Sequence, residues 1–185
     1  MQKNTRLTIK NKKRNQSGFT LIELLVATAI GAMIMVTVSS MFFIITLNSA
    51  KIGARKEVKN VGENIKQHLD YIIKNSLDLL PNDQGQVCGE TTTSLSTLKL
   101  RNIDNSITDI GLIHETEGNF IVATNSANGG ETIRLNPKEV NAENLGFSCI
   151  ENPAGETYIN YQFNLKIGNL ANQHFSGFVL LRNNY

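Results

Sequence analysis

Apolar and polar positions along the chain follow three successive patterns. From Leu24 to Leu47 the sequence LLVATAIGAMIMVTVSSMFFIITL contains no charge and no proline. At about 1.5 Å per residue it exceeds the roughly 30 Å hydrocarbon core of a bilayer, which predicts a membrane-spanning helix. The apolar run is too long for a secretory signal core, and no small-residue cleavage pattern closes it. Beyond it, Ile52, Val58, Val61, Ile65, Leu69, Ile72, Ile73, Leu77 and Leu80 recur at spacings near three and four, with Lys, Glu, Asn and Gln between them. That period predicts an amphipathic continuation. One helix of about 90 Å is therefore expected from Phe19 to Leu80, stopped by Pro81 and the turn-forming residues after it. Gly53 and Gly62 predict a weakened middle and a bend near the point where the helix leaves the bilayer.

After Pro81 the pattern changes to short apolar or alternating runs punctuated by Gly, Asn and Asp, which predicts strands and turns. The expected strands are Leu95–Arg101, Ser106–His114, Asn119–Thr124, Glu131–Leu135, Leu145–Ile150, Tyr158–Ile167 and Phe175–Leu181. Strands this short need a partner for their apolar face, and the stripe from Ile52 to Leu80 supplies one. The expected fold is α+β, a long N-terminal helix packed on an antiparallel sheet. Thr124–Gly130 reads as a hairpin loop, and Gly168–Asn172 as the turn of a terminal hairpin.

Charge refines this picture. The net charge of +2 hides a basic start, since residues 1–18 hold Lys3, Arg6, Lys10, Lys12, Lys13 and Arg14 and no acidic residue. The remainder has 12 basic against 16 acidic residues, about −4, which argues against a nucleic-acid-binding surface, and no nucleic-acid partner is expected. Six positive charges before the apolar run, against Lys51, Arg55 and Lys56 just after it, place the N-terminus in the cytoplasm and the rest across the membrane. The expected divisions are a basic leader at 1–18, a membrane helix at 19–47, its amphipathic continuation at 48–81 and an extracytoplasmic β-rich domain at 82–185. Cys88 and Cys149 lack the spacing of a zinc site. A disulfide between them would close a loop of about 60 residues and contribute about 3 to 4 kcal/mol in the chain-entropy model, the alternative being two partly buried free thiols.

The segment Gly18-Phe19-Thr20-Leu21-Ile22-Glu23-Leu24-Leu25-Val26-Ala27 closely resembles the cleavage and methylation motif of type IV prepilins and type II secretion pseudopilins. The resemblance covers the leader and first helix, roughly the first quarter of the chain. It implies that a prepilin peptidase cuts after Gly18 and methylates the new terminal amine of Phe19. It also implies assembly with other pilin or pseudopilin subunits through an inner-membrane platform, the protein residing in the bilayer beforehand. The residues themselves fit this chemistry. Gly18 offers no side chain to obstruct an extended backbone in a protease cleft, and the basic leader holds the site at the cytoplasmic face. Glu23 is a carboxylate at the edge of an apolar helix, where an unpaired charge costs several kcal/mol, so a partner is expected. The family's answer is the terminal amine of a neighbouring subunit. Pairing with its own terminus, or snorkelling to the headgroups, are the alternatives. Many major pilins carry a proline in the membrane helix, and none occurs here between Phe19 and Leu80.

The C-terminal run Phe175-Ser176-Gly177-Phe178-Val179-Leu180-Leu181-Arg182-Asn183 resembles the closing strand of J-type minor pseudopilins. That implies a minor subunit that helps initiate or cap a filament for protein secretion. The alternative is a minor type IV pilin for adhesion, motility or DNA uptake. A membrane-anchored periplasmic enzyme is a distant third reading. His68, His114 and His174 are its only histidines, and they form no metal-binding pair, nucleophile elbow or phosphate loop, so no catalysis is expected. No cofactor or metal is expected, because the acidic residues after Pro81 are scattered.

Overall fold

The computed structural model describes residues 18–81, 95–153 and 156–181. Helix α1 runs from Leu21 to Lys74, carrying both the apolar run and the amphipathic stripe. Neither Gly53 nor Gly62 interrupts it. The chain divides into two compact units, Met1–Thr46 and Leu47–Tyr185. In the first, the described helical residues are exposed along their whole length, including Met33, Met35 and Phe42 at 72–75% of their full accessible surface. The hydroxyls of Thr28, Thr37, Ser40 and Thr46 donate to the carbonyls of Leu25, Ile34, Thr37 and Phe42 at 2.8–2.9 Å. These four hydroxyls are thereby satisfied within the helix itself, as a hydrocarbon environment demands.

In the second unit, Ala54, Val58, Gly62, Ile65, Leu69 and Ile73 form the buried stripe of α1. The spacing is that of the sequence period, and Val58, Ile65, Leu69 and Ile73 are fully inaccessible. Burial of such side chains contributes about 1.5–3 kcal/mol each. They join one core with Leu98, Leu100, Ile110, Phe147, Ile159, Phe163 and Phe175 from the strands.

The helix stops at Lys74, six residues short of the expected Leu80, and Ser76–Leu80 is a strand, β1. Asn75 closes the helix with its backbone N–H and its Nδ2 both donating to the Tyr71 carbonyl, at 3.1 and 2.8 Å. The Ser76 hydroxyl donates to the Ile72 carbonyl at 2.7 Å. Two consecutive side chains that cap helix carbonyls end α1. Pairing with β2 (Leu98–Asn102) then draws the next five residues into a sheet. Leu79 is buried from this strand, so the apolar spacing near Leu80 served a different period from the one expected.

The other strands fall on the expected runs: β3 at Ile107–Glu115, β4 at Gly118–Asn125, β5 at Glu131–Arg134, β6 at Asn141–Glu151, β7 at Thr157–Ile167 and β8 at Ala171–Leu180. They form two antiparallel sheets rather than the one expected, ordered β1-β2-β3-β4-β5 and β6-β7-β8. Leu95 and Phe147 exchange backbone hydrogen bonds of 2.7 and 2.8 Å, tying the approach to β2 onto β6. Asn136, 3% exposed, fixes the passage from β5 to β6. Its Oδ1 accepts from the Ile121 N–H at 2.7 Å, and its Nδ2 donates to the carbonyls of Asn119 and Val140 at 3.0 and 2.6 Å. The β7–β8 turn lies where expected, with Gly168 at φ 47°, a left-handed conformation that suits glycine.

Candidate functional site

The chemistry singled out in the sequence gathers where α1 begins. Gly18, Phe19 and Thr20 precede the helix without regular structure, and Phe19 is 85% exposed. A Cβ at Gly18 would meet nothing within 4 Å, so the bond after it stands clear of the described chain. Glu23 is the third helical residue, and its carboxylate turns back on Thr20. Glu23 Oε2 accepts from the Thr20 backbone N–H at 3.0 Å and from the Thr20 hydroxyl at 2.9 Å, while the Glu23 N–H donates to Thr20 Oγ1 at 3.4 Å. This reciprocal pair is a capping box, in which two helix-end donors are satisfied by each other's side chains. The sequence carries this signal as Thr20-x-x-Glu23, the spacing of a capping box.

The cap answers part of the cost of a carboxylate beside an apolar helix. Two donors hold one of its oxygens, and the negative charge sits at the positive end of the helix dipole. It leaves the charge without a cationic counterpart among the described residues, so the carboxylate is oriented but not neutralised. Phe19, Ile22, Glu23, Val26, Ala27 and Ile30 together line an open, mostly apolar recess.

Cys149, in β6, is 1% exposed and disulfide-bonded. Cys88 lies outside the described residues, as does the leader before Gly18. The three histidines sit on separate elements. His68 is exposed on α1, His114 Nδ1 lies 2.8 Å from Asn119 Oδ1, and His174 Nδ1 lies 2.8 Å from Asn164 Oδ1. Among the described residues, no group of three His, Cys, Asp or Glu side chains is placed to hold a metal ion.

The family model of the prokaryotic N-terminal methylation motif matches residues 13–39. The match supports the type IV pilin and pseudopilin family and a structural role as a subunit, and it implies processing by prepilin peptidase and assembly with pilin subunits. Among the described residues, α1 is the one helix long and apolar enough to cross a membrane, and with the motif it fits a single-pass anchor. Comparison with curated proteins and with solved structures gave no match.

Proposed function

We propose that this protein is a minor subunit of a type IV pilus-like filament that helps initiate or cap assembly for protein secretion. Before assembly it is held in the inner membrane with its N-terminus cytoplasmic and its β-rich domain outside. The observation that carries the subunit role is Glu23, the sole acidic residue between Gly18 and Leu47, oriented by Thr20 at the start of an exposed apolar helix. Cleavage after Gly18 creates a cationic amine at Phe19, and a neighbouring subunit's amine neutralises the Glu23 carboxylate as the apolar helices pack together. Burial of the carboxylate without that amine costs several kcal/mol, so assembly selects cleaved, charge-matched subunits.

The minor role is supported by the sequence of the C-terminal run Phe175–Asn183, which resembles the closing strand of J-type minor pseudopilins. Cys149 pairs with Cys88 in this reading, and the domain performs no catalysis. Glu23→Ala tests the assembly role. The variant is expected to be cleaved normally and to be lost from filaments, and unchanged incorporation overturns the role. Sheared fibres test the minor role, since a predominant signal from this chain in them contradicts it.

A further inference from the structure

The strongest concentration of positive charge outside the leader has no function in the reading above. Between Lys51 and Lys59 the helix carries Lys51, Arg55, Lys56 and Lys59 against Glu57 alone, whereas the chain beyond Lys59 has 8 basic and 14 acidic residues. All five side chains in that segment are exposed. Lys51, Arg55 and Lys59 are four residues apart in turn and share one side of α1. On that side Arg55 meets the β7–β8 turn, where Arg55, Lys166, Asn169, Leu170 and Asn172 line one recess. Lys166 is an ion-pair partner of Glu143 at 3.0 Å, so its charge is partly offset. Arg55 has no ion pair among the described residues.

Two apolar side chains accompany the cations. Ile52 is 66% exposed, and Leu170, at the tip of the turn, is 41% exposed. Position completes the pattern. Arg55 follows Leu47, the last residue of the apolar run, by eight residues, about 12 Å along the helix axis. Helix side chains lean toward the N-terminus, so Lys51 and Arg55 reach back toward the end of the run. The headgroup layer beyond the hydrocarbon core is roughly 5–8 Å thick on each side, within reach of both side chains.

We propose that the recess between Arg55 and the β7–β8 turn binds the phosphate of an anionic phospholipid, with Lys51, Arg55 and Lys166 on the headgroup and Ile52 and Leu170 against the acyl boundary. This rests on the membrane-anchor reading and adds to it a chemical preference among lipids. An acidic protein surface would satisfy the cations equally well but leaves exposed Leu170 and Ile52 without a role, which is why the lipid is favoured.

The test uses the full-length protein in detergent micelles containing equal phosphatidylglycerol and phosphatidylethanolamine, with retained lipid counted by native mass spectrometry. Retention of phosphatidylglycerol over phosphatidylethanolamine is expected, falling about fivefold for each charge removed in Arg55→Gln and Lys51→Gln. Arg55→Lys is expected to retain most of the binding, Leu170→Ser to weaken it, and millimolar inorganic phosphate not to compete. Equal retention of the two lipids, or retention unchanged in both charge variants, overturns the proposal. Competition by inorganic phosphate would make this a free-anion site, and loss of a co-purifying acidic subunit with lipid unchanged would make it a protein contact. Either result also overturns it. Lipid retention is read without filaments, so it fails independently of the Glu23→Ala incorporation assay.

Discussion

The ring of Phe175 on β8 occupies the space that a side chain at Gly62 on α1 would need. The glycine expected to weaken the helix instead makes room for the Phe175 ring against it. Gly62→Ala raises intrinsic helix propensity by roughly 1 kcal/mol, yet the methyl group must displace a buried ring stacked 5.3 Å from Phe163. Overpacking costs about 1–3 kcal/mol, so the net expectation is a lower thermal midpoint. A raised midpoint would show that the ring can move aside. Gly53, with nothing within 4 Å of its would-be Cβ, is the control, and Gly53→Ala is expected to stabilise by a few tenths to about 1 kcal/mol.

Tyr161 anchors the same helix from β7. It is 1% exposed, and its hydroxyl donates to Asp70 Oδ1 at 2.5 Å, with the Lys66 carbonyl at 3.3 Å. Burial, followed by the hydrogen bond and charge of Asp70, raises its pKa well above the ordinary 10.0. The native state therefore keeps a proton that the unfolded chain releases near pH 10. Stability from this group is intact below pH 10 and declines above it, by up to about 1.4 kcal/mol per pH unit. Denaturant unfolding between pH 9 and about 11 should show that decline in the wild type and a shallower one in Tyr161→Phe. Identical slopes would contradict the assignment.

Asn136→Ala is expected to be among the most damaging single changes in the domain. It strips partners from the Ile121 N–H and from the carbonyls of Asn119 and Val140. Each buried polar group left unsatisfied costs about 1–3 kcal/mol, so a total near 3 kcal/mol or more is expected in chemical denaturation. Asn136→Asp should do no better, because a carboxylate would face two carbonyl oxygens. A loss below about 1 kcal/mol would mean that water replaces the amide.

Glu23→Gln separates the two duties of Glu23. Glutamine serves a capping box as well as glutamate, so the start of α1 should survive while the charge is lost. Incorporation into filaments as poor as that of Glu23→Ala is expected if neutralisation of the amine drives assembly. Incorporation at the wild-type level would assign the requirement to the cap.

For the cysteines, Cys88→Ala and Cys149→Ala are expected to lower stability similarly, by about 3 kcal/mol, with the double variant no worse than either single one. Additive losses would mean that the two do not pair.

Much of this fold was legible in the sequence. Where apolar residues alternate between glycine and asparagine punctuation, as in Tyr158–Ile167, local pattern and final structure agree. It failed at Ser76–Leu80, because Ile73, Leu77 and Leu80 keep a helical spacing over a stretch short enough to suit a strand. What decided the matter was pairing with Leu98–Asn102, whose partners lie 19 to 26 residues along the chain. The split into two sheets was likewise invisible, since local alternation does not say which strand finds which neighbour. At the helix start, the motif gave the position of Glu23, and the geometry added Thr20 as its immediate partner.

The single-residue joint at Asn75 has a mechanical consequence. Between Lys74, the last helical residue, and Ser76, the first of β1, there is no linker to take up slack. Tension or torque applied along the buried half of α1 passes directly into the hydrogen bonds between β1 and β2. A load on that half of the helix would thus be shared with the five-stranded sheet, and lengthening the joint with inserted glycines would uncouple it from β1.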